Sequence, residues 1–242
     1  MKNSRTYDAI IFDLDGTLID SSPSILNCFG HALSEAGLQP LVPLNDSLIG
    51  PPLRQTLINL TGLTDNSLLD RLVDGFKECY DTVGYKATQV YNGVEDMLGH
   101  LAECNIPLAI ATNKRRVPTM KILEHLGWEK YFRIVGTLDT PLPPYRSKAE
   151  MIGSLLRKLE VEAEVSLYVG DKREDGEAAA ANAMPFCAVG WGYGEWNRVL
   201  LPEEWRLMES AADLVALLSG TPLQVGNGAR PIPTPTTDKV NM

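Results

Sequence analysis

Four short apolar runs constrain this chain more than any other feature: "DAIIF" at 8 to 12, "PLAIAT" at 107 to 112, "VSLYVG" at 165 to 170 and "PFCAVG" at 185 to 190. Each is brief, rich in β-formers and nearly continuous in apolar character, as expected of a strand covered on both faces in a parallel sheet. Helical patterns lie between them. "GVEDMLGHLAEC" precedes the second run, and "VPTMKILEHLG" follows it with Pro118 at an early helical position and Gly127 as a C-terminal cap. "SKAEMIGSLLRKL" opens on Ser147 with Glu150 three residues on, a capping-box signature for a helix beginning at Lys148. "SAADLVALL" repeats the device with Ser210 and Asp213. Strand alternating with helix predicts a doubly wound, Rossmann-like α/β sheet.

Residues 20 to 86 break the alternation. "SSPSILNCFGHALSEAG" reads as a helix with Ser22 as cap, Pro23 at its first position and Gly37 past its end. "PPLRQTLINLTG" and "SLLDRLVDGFKECYDTVG" follow with helical spacing. The expectation is a helical cap domain over 18–89 inserted into a core formed by 1–17 and 90–220. Its connections fall near 17 to 21 and 86 to 91, so a hinge motion is geometrically available. From 221 to 242 the chain is rich in Pro, Gly and Thr without an apolar period, which predicts a flexible tail.

Composition narrows the partners. A formal charge of -9, from 22 Lys and Arg against 31 Asp and Glu, disfavours a nucleic-acid polymer. No segment approaches a membrane span. Cys28, Cys79, Cys104 and Cys187 lie far apart with no paired spacing, so they are expected as idle thiols in a reducing, cytoplasmic compartment.

In an open parallel sheet, functional groups gather at the carboxyl ends of the strands. The first run ends in Asp13 and Asp15, the second in Thr112, Asn113 and Lys114, and the third in Asp171 and Asp175, while Lys148 opens the helix before the third. Four carboxylates in one crevice raise one another's pKa and repel. A cation must sit among them. Mg2+ suits an oxygen-only donor set, and no histidine or cysteine is grouped here for a softer metal.

"DLDGT", "ATN", Lys148 and "GDKRED" together resemble the four motifs of the haloacid dehalogenase-like superfamily, in the order and approximate spacing of its phosphatases. The inserted helical segment falls where that family places its first type of cap, and "IGPPL" and "WGYGE" look like the phosphoglycolate-phosphatase-like branch, which includes similar 5'-nucleotidases. The resemblance implies that Asp13 attacks phosphorus to form an aspartyl-phosphate and that Asp15 serves as general acid, then base. Thr112 and Lys148 would contact the phosphoryl oxygens, with Asn113 a further donor. Mg2+ would be held by Asp13, the backbone carbonyl of Asp15 and Asp171, while Asp175 holds the metal shell or orients Lys148.

Substrate choice should lie in the cap. Arg54 is expected as an anion contact for a carboxylate-bearing leaving group, with a surface arginine as the plain alternative. Lys172 and Arg173 are either added phosphate contacts or solvated side chains. Trp191 and Tyr193 either stack on a base or sugar, or pack between sheet and helix. The proline-rich "VGTLDTPLPPYRSK" either rims the pocket or positions Lys148. The leading expectation is a Mg2+-dependent phosphatase of a small phosphorylated metabolite, phosphoglycolate-like, acting as a monomer or homodimer. A 5'-nucleotidase, a phosphomutase and a non-catalytic phosphate-binding protein are the alternatives.

Overall fold

The computed structural model of the protein describes residues 7–196 and 198–218. The expected tail at 221–242 lies outside the described residues. Six parallel strands form the core sheet: β1 (Ala9–Phe12), β4 (Leu108–Thr112), β5 (Phe132–Thr137), β6 (Ser166–Gly170), β7 (Phe186–Val189) and β8 (Arg206–Met208), in the order β5-β4-β1-β6-β7-β8. The four predicted runs are the four inner strands. β5 and β8, which the sequence reading did not identify, are the two edges. An edge strand lacks one neighbour, and β5 carries Arg133 exposed and Ile134 and Val135 only partly buried, so its apolar signal is diluted.

Both faces of the sheet are covered. Ile10 and Phe12 of β1 join one apolar cluster with Met97 and Leu98 of α4 (Val94–Glu103) and Ile122 of α5 (Arg116–Leu126). Ala9 and Ile11 point the other way, into a cluster with Met151 and Leu155 of α6 (Lys148–Leu159) and Ala179 of α7 (Arg173–Ala180). This alternation explains why β1 is apolar at every position. The last helix of the described residues, α8 (Ala211–Leu218), packs in the first cluster, and its Asp213 N–H donates to Ser210 Oγ at 3.2 Å. From β1 the chain passes to β4 and β5 on one side, then back across to β6, β7 and β8 on the other. The sheet order thus reverses at β1, which opens a crevice at the carboxyl ends of β1, β4 and β6.

A third cluster belongs to the inserted helices α1 (Ser22–Glu35), α2 (Leu53–Thr61) and α3 (Asn66–Thr82). The two connections to the core are not loose. They pair as an antiparallel ribbon, β2 (Ile19–Asp20) with β3 (Gln89–Val90). The N-cap of α1 is Ser21 rather than Ser22, and neither hydroxyl caps the helix, because Ser21 Oγ donates to Asp15 and Ser22 Oγ to Asp46. The nearby carboxylates turn both hydroxyls toward themselves, so neither oxygen is presented to the free N–H groups of the first helical turn. At α6, Ser147 accepts the Glu150 N–H as expected, but the Glu150 carboxylate takes the N–H of Arg146 instead of completing the box.

Cys28 and Cys79 are not idle thiols: they form a disulfide between α1 and α3, with Cα atoms 5.6 Å apart. Their separation of 51 residues hid the pairing, which arises because α1 and α3 pack side by side in the cap. Cys104 and Cys187 are free. No helix among the described residues is long and apolar enough to cross a membrane.

Candidate active site

Asp13 follows β1 with its amide donating to Val169 O of β6, so the sheet itself positions it at the crevice floor. Its carboxylate accepts from Lys148 Nζ at 3.0 Å, and the same ammonium reaches Asp175 Oδ1 at 2.6 Å. Lys148 is the first residue of α6, where Ser147 caps the helix and aims the lysine back over the sheet. Asp175 is buried, and its second oxygen accepts the Lys172 N–H at 3.1 Å at the start of α7. It therefore orients Lys148 and caps α7 at once. Asp171 follows β6, and its Oδ2 accepts the Tyr193 N–H at 2.8 Å.

Asp13, Asp171 and Asp175 each offer a carboxylate oxygen, and these atoms all lie within 4.8 Å of one another. One ammonium does not neutralise three buried acids. Burial pushes the Asp13 carboxyl up, and Asp175 and Asp15 add to this against the pull of Lys148. Asp171 is pushed up to about 8, by burial first and then by Asp13 and Asp175. Lys148 stays protonated well above its ordinary range, since Asp13 and Asp175 outweigh its desolvation. The oxygen-only donors and their uncompensated charge fit a hard divalent cation such as Mg2+. The glycines of "WGYGE" make room for this arrangement: a Cβ on Gly192 would collide with the Gly16 carbonyl and with Asp171, and Gly16 itself has φ +86.

Asp15 lies outside the acidic trio. Its side chain accepts from Lys114 Nζ at 2.9 and 3.1 Å and from Ser21 Oγ. Thr112, at the end of β4, is buried, and its oxygen accepts the Lys114 N–H at 3.1 Å, leaving its own proton to donate. Asp13, Asp15, Thr112, Asn113, Lys114 and Lys148 line one cleft, with a cavity of about 70 Å³ beneath the cap.

The structure does not bring Arg54 to this cleft. Its guanidinium pairs with Asp70 and with Asn66 Oδ1 at 2.9 Å, bridging α2 to α3 on the exposed side of the cap. Lys172 Nζ donates to Ile49 O and Arg173 lies over the Trp205 ring, so neither lines the cleft. Asn113 lines it while donating to Gly50 O at 3.1 Å, so "IGPPL" is held across the mouth. The 138–147 segment is no part of the cleft wall, although Asp139 caps the α5 amide of Arg116 at 2.9 Å.

Trp191 and Tyr193 brace the first connection between core and cap. Trp191 donates to Thr17 O at 3.0 Å, and the Tyr193 hydroxyl accepts from the Ser21 and Ser22 amides and donates to Asp20 at 2.9 Å. Sequence reasoning placed Lys114 at a strand end without giving it a role, and it missed Tyr80. Lys114 directly follows "ATN", a usable signal, whereas Tyr80 reads only as one more apolar position of α3.

The cleft, the helical cap and the strand-end acids define a capped α/β protein with a carboxylate-and-lysine centre. Residues 10–189 match the model of the haloacid dehalogenase-like hydrolase family, and the chain belongs to that family. The chain is 32% identical over 186 residues to tyrosine-protein kinase PtkA of Mycobacterium tuberculosis, covering 76% of this chain and 62% of that protein, so it spans less than two thirds of that relative's length. It is 32% identical over 209 residues to a phosphoglycolate phosphatase of Rhodobacter capsulatus, covering 84% of this chain and 94% of the relative. The solved structure of a predicted phosphatase from Clostridium acetobutylicum superposes with a TM-score of 0.75 at 25% identity, covering 87% of this chain and 97% of the other.

Proposed function

We propose that the protein is a Mg2+-dependent phosphomonoesterase that works through an aspartyl-phosphate on Asp13. The observation that carries this reading is the placement of two carboxylates in different settings two residues apart. Asp13 sits against Lys148 beside Asp171 and Asp175, and Asp15 faces the same cleft from a separate pairing with Lys114 and Ser21. A nucleophile and a proton donor acting on one phosphate need that division.

Asp13, Asp171 and the backbone carbonyl of Asp15 would hold the metal, with Asp175 behind them. Bound Mg2+ would neutralise charge on the phosphoryl oxygens as the transition state forms. Asp13 attacks phosphorus, the phosphorus–oxygen bond to the leaving group breaks, and Asp15 gives that oxygen its proton. Asp15 then takes a proton from water, which attacks the phosphoryl group and frees Asp13 and inorganic phosphate. Lys148 and the Thr112 hydroxyl hold the equatorial oxygens through both displacements. The substrate is a small phosphomonoester, and the Rhodobacter capsulatus relative makes phosphoglycolate the first one to try.

The test is phosphate release from a panel of small phosphomonoesters with Mg2+ or with EDTA, run beside Asp13→Asn. Release that needs the metal and disappears in the variant is the expected outcome, together with a phosphoryl mass added to Asp13 in rapidly quenched enzyme. Full activity in EDTA or in Asp13→Asn overturns the reading.

A further inference from the structure

The wall of the cleft facing Asp15 is apolar. Ile25 and Phe29 of α1, Ile49 of the loop, Leu53 of α2 and Phe76 of α3 turn toward the space beneath the cap. Three aromatic rings run along it: Phe29 and Phe76 have centroids 4.6 Å apart, and Phe76 and Tyr80 5.6 Å apart. The cations that line the cleft already have carboxylate partners. Lys148 holds Asp13 and Asp175, Lys114 holds Asp15, and Arg115 makes a two-pronged pair with Asp81 at 2.6 and 2.8 Å. Arg54, the cap cation expected for a carboxylate, faces Asp70 instead. A second anionic group on the substrate would have to break one of these pairs.

One polar atom on this side is unsatisfied. The Tyr80 hydroxyl is buried beside the Lys114 ammonium, and its own proton has no acceptor among the described residues. The Lys114 ammonium lies 4.6 Å from the centroid of the Tyr80 ring while touching Asp15, so Tyr80 stands on the side where the leaving group departs. A buried hydroxyl whose proton finds no acceptor costs stability, and a ligand acceptor that reaches it recovers that cost.

We propose that the leaving group is an uncharged alcohol with a flat apolar body, an arylmethyl alcohol in chemical class, that packs along Phe29 and Phe76 and hydrogen-bonds the Tyr80 hydroxyl. Tyr80 is then a specificity-determining residue. This rests on the phosphatase reading and refines it. The aromatic row supplies the apolar contact area, and Tyr80 discriminates among bodies of the same shape, because a buried polar group rejects a ligand that leaves it unpaired.

The experiment compares kcat/KM of the full chain with Mg2+ for benzyl phosphate, the three hydroxybenzyl phosphates, glycerol phosphate and phosphoglycolate. All but the glycerol ester of a secondary hydroxyl leave as primary alkoxides, and the primary glycerol ester is the one used. Benzyl phosphate is expected to exceed phosphoglycolate by at least about tenfold, the apolar-contact scale of such pockets. One hydroxybenzyl isomer should exceed benzyl phosphate, and Tyr80→Phe should erase that gain. Phe76→Leu, which keeps the cap filled, should collapse the ratio of benzyl phosphate to phosphoglycolate. Equal or better turnover of phosphoglycolate, or loss of the same factor for every substrate in Phe76→Leu, overturns the proposal. If none of the esters is hydrolysed, the phosphatase reading fails separately, and binding of benzylphosphonate against phosphonoacetate decides the leaving-group preference. Tighter benzylphosphonate supports it, and tighter phosphonoacetate overturns it.

Discussion

Lys114 Nζ lies 2.9 and 3.1 Å from the two carboxylate oxygens of Asp15, and both side chains are about nine-tenths buried. Burial alone would lower the pKa of Lys114, but Asp15, with Tyr80 next to it, more than reverses this and holds the lysine charged. Removing one partner of such a pair strands the other charge in a dry setting. Lys114→Met is expected to lower unfolding free energy by about 3–5 kcal/mol, read from urea denaturation. The double variant with Asp15→Asn should lose clearly less than the sum of the single losses. A Lys114→Met protein as stable as the parent would show that the pair contributes nothing.

A second prediction concerns space around Asp171. A Cβ at Gly192 would collide with the Gly16 carbonyl and the Asp171 side chain, whereas one at Gly30, in the middle of α1, would meet only Leu44 Cδ1 at an ordinary 3.7 Å. Gly192→Ala should therefore displace Asp171 and cut phosphate release by at least about 100-fold, on the scale of a 1 Å misplacement of a reacting group. Gly30→Ala should keep activity and gain about 0.5–1 kcal/mol from helix propensity. Equal behaviour of the two variants in activity would sink the argument.

Much of this was legible in the chain because the relevant residues end apolar runs. A run such as "DAIIF" is apolar at every position only when both faces are covered, and a central parallel strand delivers its next residues to the crevice; Asp13, Thr112 and Asp171 follow from that alone. Arg54 and Tyr80 were not legible in the same way. Which face of a cap helix meets the core depends on how three helices dock, and α3 shows the same period whether Tyr80 faces a cleft or a core. The disulfide was hidden for a related reason, since helix packing and not spacing brings Cys28 to Cys79.

The acid cluster makes stability depend on pH when metal is withheld. Asp171 is raised to about 8 and Asp13 is raised as well, both from an ordinary 3.8. Between about pH 4 and 8 the folded protein thus holds protons that the unfolded chain releases. Their contribution is fully present below the unfolded pKa and is lost as pH rises through the folded values. Each such proton costs up to about 1.4 kcal/mol per pH unit. Mg2+ binds the deprotonated carboxylates and so offsets the loss. Thermal melts should show a stabilisation by Mg2+ over EDTA that is small at pH 5.5 and larger at pH 8.5. A difference that is flat, or that shrinks with rising pH, would contradict the proposed metal site.

The last prediction rests on the base of the cap. Cys28 lies in the first half of α1 and Cys79 in the last turn of α3, so their bond closes a loop of 51 residues that holds most of the cap. In the chain-entropy account, closing a loop of that length stabilises the fold by about 4 kcal/mol. Cys28 precedes Phe29, and Cys79 precedes Tyr80, so the same bond fixes the spacing of α1 and α3 along the aromatic wall of the cleft. Cys28→Ser, or reduction of the parent, should lower the melting temperature by roughly 8–16 °C, at about 2–4 °C per kcal/mol for a chain of this size. The β-sheet core keeps its own two apolar clusters, so the loss is expected first in the cap, seen as faster amide exchange in α1 and α3 than in β1 and β4. Equal melting of the oxidised and reduced protein, with the bond verified by mass, would show that helix packing holds the cap unaided.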